Sequence, residues 1–283
     1  MKHTRSLLAA ATAALALDTQ AALFSGIGTG SSDAGLSTPV NDFKAAIGGA
    51  NNGANNTLGT EFTTGRREIN WDAAALPAAM PANFFNVNSR RGAVFSTDGS
   101  GFQVSENSAS SVTRKFGNVD AGYVAEFSLF SPQRLFAAAG SVNLEATFFQ
   151  PNITSQAATI TAFGAIFVDV DLANTTKLEL IGAGGVVLAS GFAPVNNQGL
   201  SFLGLTLDPG QVATSVRITS GNLALGLGNI DDPTHDVVAM DDFFYSEPQA
   251  LTAVPEPQEW AALAGGACLL LGVARKLRRD TQA

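Results

Sequence analysis

VNLEATF, Val142 to Phe148, is the stretch on which the fold turns. Val, Leu, Ala and Phe fall on one face, and Asn, Glu and Thr on the other. A period of two is the mark of a half-buried strand, because successive side chains point to opposite faces. SVRIT (Ser215–Thr219) alternates likewise. Outward from these two, strands are expected at Arg67–Trp71, Gly92–Thr97, Gly101–Ser105, Tyr123–Phe130, Ala158–Val170, Lys177–Ile181, Val186–Ser190, Leu200–Leu207, Asn222–Leu227 and Val237–Tyr245. Turn residues separate them: Asp98-Gly99, Gly182 to Gly185, and Asp208-Pro209-Gly210. No long helical pattern intervenes.

Many short strands at this spacing predict an all-β fold with antiparallel sheets. The sequence shows no internal repeat of the kind a propeller or solenoid needs. The expectation is therefore a jelly-roll-like β-sandwich over residues 65–250, read as one domain. Residues 22–64 are rich in Gly, Asn, Ser and Thr and read as loop, with one short helix: Thr38 as N-cap, Pro39 at the first position, Gly48 just past the end.

The chain has 283 residues, 46% hydrophobic and 14% charged, with a formal net charge of −8. It is too apolar to be disordered. Between residues 22 and 254, ten Lys and Arg face twenty Asp and Glu, a net of −10. The basic residues are scattered, so nucleic acid is not an expected partner, since binding it needs a basic face. Cys268 and two histidines, His3 and His235, leave no disulfide framework and no Cys/His zinc cluster.

Both ends read as addresses. Lys2 and Arg5 precede an apolar stretch of twelve residues, Ser6–Leu17, and then Thr19-Gln20-Ala21. This is the layout of a secretory signal peptide cleaved after Ala21, so signal peptidase is an expected partner. At the other end, Trp260–Ala274 is an uncharged run of fifteen residues, followed by Arg275, Lys276, Arg278 and Arg279. As a helix the run would be about 22 Å long, short against a hydrocarbon core of about 30 Å. The basic cluster predicts a body outside and a tail inside, on a short C-terminal transmembrane helix in the inner membrane.

Val254-Pro255-Glu256-Pro257, the short span and the basic cluster together resemble the PEP-CTERM sorting signal, here residues 251–283. The resemblance implies a Gram-negative host that makes extracellular polysaccharide. It also implies recognition by a membrane transpeptidase, an exosortase, with processing near the Pro-Glu-Pro, so that the membrane anchor is transient and the product reaches the cell surface. Two prolines suit that task, since they hold a segment extended where a peptidase can grip it. GRREINWD (Gly65–Asp72), FFNVNSRRGAVFSTDGSGFQVS (Phe84–Ser105), FGAIFVDVD (Phe163–Asp171) and VVAMDDFFYSEP (Val237–Pro248) resemble a group of PEP-CTERM surface proteins, a likeness that implies no activity. MDDFFY is similar to the last strand of jelly-roll carbohydrate-binding modules. That likeness implies a structural calcium between an early strand and the last.

Candidate chemistry lies mostly in acidic residues. Asp231, Asp232 and Asp236 fall in an expected loop, and Asp241 and Asp242 on the strand after it. Asp169 and Asp171 are two apart and face one side of a strand. Calcium takes six to eight oxygen ligands. Asp241 and Asp242, with Asp169 more distant, are the candidate metal set, against a plainer reading as a solvated acidic loop. Trp71 is a candidate ligand-binding platform for a sugar ring, against core packing. His235 is available as a base oriented by Asp232 or Asp236, but no motif marks a nucleophile, and no catalytic residue is assigned. Glu68, Glu126 and Glu145 read as outward partners of Arg or Lys. The expected function is a non-enzymatic protein of the extracellular polysaccharide or biofilm matrix. A structural coat protein and a polysaccharide hydrolase are the alternatives.

Overall fold

The computed structural model describes residues 26–54, 61–73, 77–106, 114–131 and 134–251. The expected signal peptide, sorting motif (Val254, Pro255, Glu256, Pro257), terminal span and basic cluster (Arg275, Lys276, Arg278, Arg279) lie outside the described residues. Among the described residues no helix is long and apolar enough to cross a membrane.

Two antiparallel sheets form a sandwich. The first runs in the order β1 (Gly26–Gly30), β12 (Asn196–Thr206), β9 (Ala162–Val170), β14 (Ala239–Ser246), β6 (Phe136–Ala139), β5 (Gly101–Val104) and β3 (Ala79–Met80), with β2 (Arg66–Ile69) also paired to β14. The second runs β11 (Val187–Phe192), β10 (Lys177–Ile181), β13 (Ser215–Thr219), β7 (Asn143–Gln150), β8 (Ile153–Thr159) and β15 (Gln249–Ala250), with β4 (Ala93–Ser96) also on β7. The alternation that opens the sequence reading does what it should. Leu144, Ala146 and Phe148 of β7 enter the inter-sheet core, while Asn143, Glu145 and Thr147 do not.

The first sheet is covered on both faces. Phe163, Phe167, Phe243 and Tyr245 face the second sheet. Ile166, Phe202 and Phe244 face outward, under Leu36, Val40, Phe43 and Ile47 of a helix α1 (Asp33–Ala46). β9 is therefore buried at every position. Its near-continuous apolar run follows from having cover on both sides, which removes any reason to alternate.

The N-terminal segment departs from expectation. Residues 22–64 are not simply loop, because β1 pairs with β12 along Gly26↔Gly204 to Gly30↔Leu200 and α1 packs on the same sheet. The helix starts after Ser32, not Thr38, with no capping hydrogen bond from the Ser32 side chain, and Pro39 lies inside it. Its apolar residues at 36, 40, 43 and 47 have the spacing of one helical face. Gly48 does follow its end, with φ of 113°. Two expected strands are absent. Tyr123–Glu126 forms a single helical turn, α3, after α2 (Phe84–Val87), and no strand covers Asn222–Leu227. The span Ala158–Val170 is two strands, broken at Ile160-Thr161 as the chain passes from one sheet to the other.

Candidate functional site

The candidate metal residues fall in two separate places, each created by a break in strand register. In β14 the pairing with β9 runs Met240↔Phe167 and then Phe243↔Ala165. Asp241 and Asp242 thus stand opposite one residue, Ile166. This is a β-bulge, and it lets Met240 and Phe243 both face the inner core. The bulge lies where β6 stops pairing with β14 and β2 starts. Neighbouring segments cap the Asp241 carboxylate, while Asp242 Oδ1 is buried with no hydrogen-bond partner among the described residues. Asp241 Oδ2 accepts the Phe130 N–H at 2.8 Å, and Asp241 Oδ1 accepts the Ser131 hydroxyl at 3.0 Å. Burial, then the Asp242 charge, push the Asp241 carboxyl well up. Burial also raises Asp242, to about 6, against lowering by hydrogen bonding to Asp241 and Ser131 and by the Lys44 charge. Two buried carboxyls side by side cannot both ionise cheaply, so the pair holds a proton between them.

Trp71 belongs to this same knot, and its assignment as a sugar platform is corrected. It is 1% exposed. Its ring stacks on Phe136 at 3.9 Å and meets Phe243 edge-on at 5.1 Å. Its indole N–H donates to the Asp241 carbonyl at 2.7 Å. A ring held this way has no free face for a ligand. It fills the inner core and satisfies a carbonyl that the bulge takes out of the ladder.

The second place surrounds Asp169. Asn196 pairs with Val170 and Leu200 with Val168, so three residues of β12 bulge out opposite Asp169. Asp169 and Gln198 both have left-handed backbone, with φ of 65° and 55°. The twist reverses the face of the strand: Val168 lies in the outer core and Val170 in the inner one. Asp169 Oδ1 accepts the Gln198 N–H at 2.6 Å. Its carboxyl and that of Asp171 act on each other, but not as two residues on one strand face, because β9 stops at Val170 and Asp171 lies beyond it. Asp169 and Asp241 thus sit at separate breaks with different partners, and the trio Asp169, Asp241, Asp242 is not one site. Among the described residues no group of three or more His, Cys, Asp or Glu side chains is already arranged to hold a metal ion.

Beside Asp169 opens a cleft of about 620 Å³, lined by Tyr123, Glu126, Asp171, Asn197, Gln198 and Asp231 among others. Asn197 donates to Asp171 Oδ2 at 3.1 Å, and Gln198 to Glu126 Oε2 at 3.0 Å. Among the described residues, no Lys or Arg lines the cleft. Burial pushes Asp169 up to about 8, with Asp171, Asp231 and Glu126 adding repulsion against the Gln198 N–H. Burial and the Asp236 charge raise Asp171. Burial raises Asp231 to about 6, opposed by the Val237 N–H.

The acidic loop divides its labour. Asp236 is fully buried and accepts the N–H groups of Asp171 and Leu172 at 3.1 and 3.3 Å, pinning the chain beyond β9. His235 pairs with Asp232, Nδ1 to Oδ2 at 2.8 Å, on an exposed turn. That contact leads the forces holding the Asp232 carboxyl below its usual range. Asp236 does not join the pair. Glu68 meets Lys44 and Arg66, as expected of an outward carboxylate. Glu126 instead faces the cleft. Sequence reading missed Glu126, Asn197 and Gln198 as site residues, because only the bulge in β12 brings them together.

The chain matches no protein-family model. A comparison with curated proteins finds no match either.

Proposed function

We propose that this is an exported, non-enzymatic carbohydrate-binding protein of a Gram-negative cell surface or biofilm matrix, built on a jelly roll. The strand orders β6-β14-β9-β12 in one sheet and β7-β13-β10-β11 in the other support the jelly roll. From β6 to β14, leaving out β8, the chain crosses between the sheets in the sequence that two Greek keys require. The observation that carries the binding role is the cleft. Its amides and carboxylates are the group types that recognise sugar hydroxyls, and its volume suits a small saccharide. The residues at both ends support export by signal peptidase, transient anchoring and handling by an exosortase.

The test is saturable binding of the purified protein to bacterial exopolysaccharides and a glycan array, repeated with Asn197→Ala and Gln198→Ala. Binding weakened by both changes supports the reading. No binding to any glycan moves the assignment to a structural coat protein. One observation favours hydrolysis as a second reading: Asp231, raised to about 6, has the pKa of a general acid near other carboxylates. Release of reducing ends that stops in Asp231→Asn would establish it. Sorting has a separate check. Recovery of intact Leu277–Ala283 from the surface form by mass spectrometry would rule out processing at the Pro-Glu-Pro.

A further inference from the structure

Four strands end the two sheets: β1 and β3 in the first, β11 and β15 in the second. β3 and β15 have two residues each, and β1 has five, three of them Gly. Edges so short or so rich in Gly are poor templates for another strand. β11 is the exception. It is six residues long and reads VLASGF, without the Lys or Pro that commonly guards a sheet edge. Val187 is 47% exposed and Phe192 43%, and Val186 and Val195 are exposed just beyond the strand. Ile27 of β1, also exposed, extends the patch. Its register partner Leu203 lies against Gly191, where a Cβ would stand 3.3 Å from the Leu203 side chain. Between residues 180 and 207 the chain carries no charge at all, in a protein with a net charge of −8.

The backbone of this edge is open. The Ala193 N–H donates to the Thr176 carbonyl at 2.9 Å, which makes Ala193 a hydrogen-bonded position on the ladder with β10. Such positions alternate along an antiparallel pair. Ala189 and Gly191 therefore turn their N–H and C=O groups toward β10. Ser190 and Phe192 turn theirs away from it, to a side that no other described strand occupies. The one irregularity of register falls at Leu188 and leaves residues 189–192 regular.

We propose that β11 is a self-association surface, on which two copies of this chain pair antiparallel about a two-fold axis at Ser190 and join their seven-stranded sheets into one. Ser190 then exchanges main-chain hydrogen bonds with the second copy's Ser190. The partner is a second copy for two reasons. The exposed apolar side chains, Val187 and Phe192, stand at opposite ends of the strand, so antiparallel pairing lays Phe192 of each copy beside Val187 of the other. A two-fold contact needs this self-complementarity. Acidic copies also repel each other over most of their surface, and this uncharged side is where they meet without that cost. The contact uses no residue that lines the cleft, so it stands whether or not the protein binds a glycan.

The experiment is sedimentation velocity on the purified protein, with no saccharide present, from about 1 to about 100 μM. The expected result is a monomer that becomes a dimer as concentration rises and grows no further, because a two-fold contact closes on itself. Ser190→Pro removes an outward N–H, a change that an edge strand tolerates, and Phe192→Lys installs a guard. Each should raise the concentration of half-dimerisation by about tenfold or more and keep the parent's far-UV circular dichroism. Ile153→Lys changes an exposed apolar residue of β8, toward the opposite edge of the same sheet, and should dimerise as the parent does. Ser190→Cys reads the register. Hydrogen-bonded partners in an antiparallel pair have Cα atoms about 5.5 Å apart, within reach of a disulfide. Mild oxidation should therefore give a covalent dimer that the parent, treated alike, does not form. A monomer at every concentration overturns the proposal. So does growth beyond the dimer, a dimer untouched by Ser190→Pro and Phe192→Lys, or an equal loss in Ile153→Lys. The covalent dimer tests the contact even if Ser190→Pro folds poorly, and its absence overturns the pairing at Ser190.

Discussion

Arg67 is fully buried, and every face of its charge is met. Nε and Nη2 reach Glu247 Oε2 and Oε1 at 2.6 Å each, and Nη1 reaches the Gly53 carbonyl at 2.6 Å. Asn52 donates to the same Glu247 at 2.9 Å. Such a pair adds little net stability, because both ions lose water. Breaking it by halves is another matter. Glu247→Gln leaves a buried cation unpaired and should cost about 3–5 kcal/mol in urea unfolding. Arg67→Met with Glu247→Leu should cost much less, since no charge is stranded. Equal losses in the two would mean that shape, not charge, sets the value of this site. Arg67 shares a strand face with Ile69, but GRREINWD does not say that a cation there is buried, nor that its counter-ion lies 180 residues away in the chain. The same limit explains Trp71. Its local pattern allows a platform or a core residue, and only the meeting of Phe136, Phe243 and the Asp241 carbonyl decides for the core.

At the scale of elements, α1 depends on what the sheet lacks. Gly26, Gly204 and Gly164 are register partners across β1, β12 and β9, and they leave a shallow trough. Phe43 of α1 lies in it, edge-on to Phe202 at 5.4 Å. A Cβ at Gly204 would stand 2.6 Å from the Phe43 ring, and one at Gly164 2.8 Å from it. Gly204→Ala should therefore lift the helix, at a cost of about 1–3 kcal/mol for overpacking. Hydrogen exchange should show faster exchange in the amides of α1, with β9 and β14 still protected. Unchanged exchange in α1 would mean that the trough has room to spare. Here the sequence misleads for a physical reason. Glycine marks loops by its freedom, but it also marks close packing by its small size. Composition alone cannot separate the two, and so residues 22–64 read as loop apart from one short helix, with β1 and the first turns of α1 unseen. The strands are a contrast: β10 and β13 lie where the period of two puts them, Lys177–Ile181 and Ser215–Thr219. The failures at Tyr123–Phe130 and Asn222–Leu227 are spans that bury single side chains from a helical turn or irregular chain, while Leu227 stays 83% exposed. Tyr123, Phe127 and Leu225 all pack into the outer core without a ladder.

For the molecule as a whole, the cluster of buried acids has a consequence that no single residue shows. Asp169 is raised to about 8, Asp231 and Asp242 to about 6, and Asp171 and Asp241 are raised as well. In the unfolded chain all five titrate near 4. Between about pH 4 and 8 the folded protein thus binds more protons than the unfolded one, and the slope of unfolding free energy with pH is negative. Asp98, Asp120 and Asp232 are shifted the other way, each held below its usual range by hydrogen bonds. Their stabilisation is present throughout this window and is lost only as pH falls below about 4, so it adds no slope here. The expected outcome is a Tm higher at about pH 5 than at about pH 8, measured in chelator so that no divalent ion compensates the carboxylates. Asp242→Asn should raise Tm at pH 8 by a few degrees, and by less at pH 5, where the parent carboxyl is already protonated. A flat or rising profile between these values would show that the acidic residues keep water or counter-ions in the folded state. The sandwich could be read from strand period and turns because those are local. The acid cluster could not, because Asp169, Asp231 and Asp242 become costly only once two register breaks and a closing loop have taken them out of water.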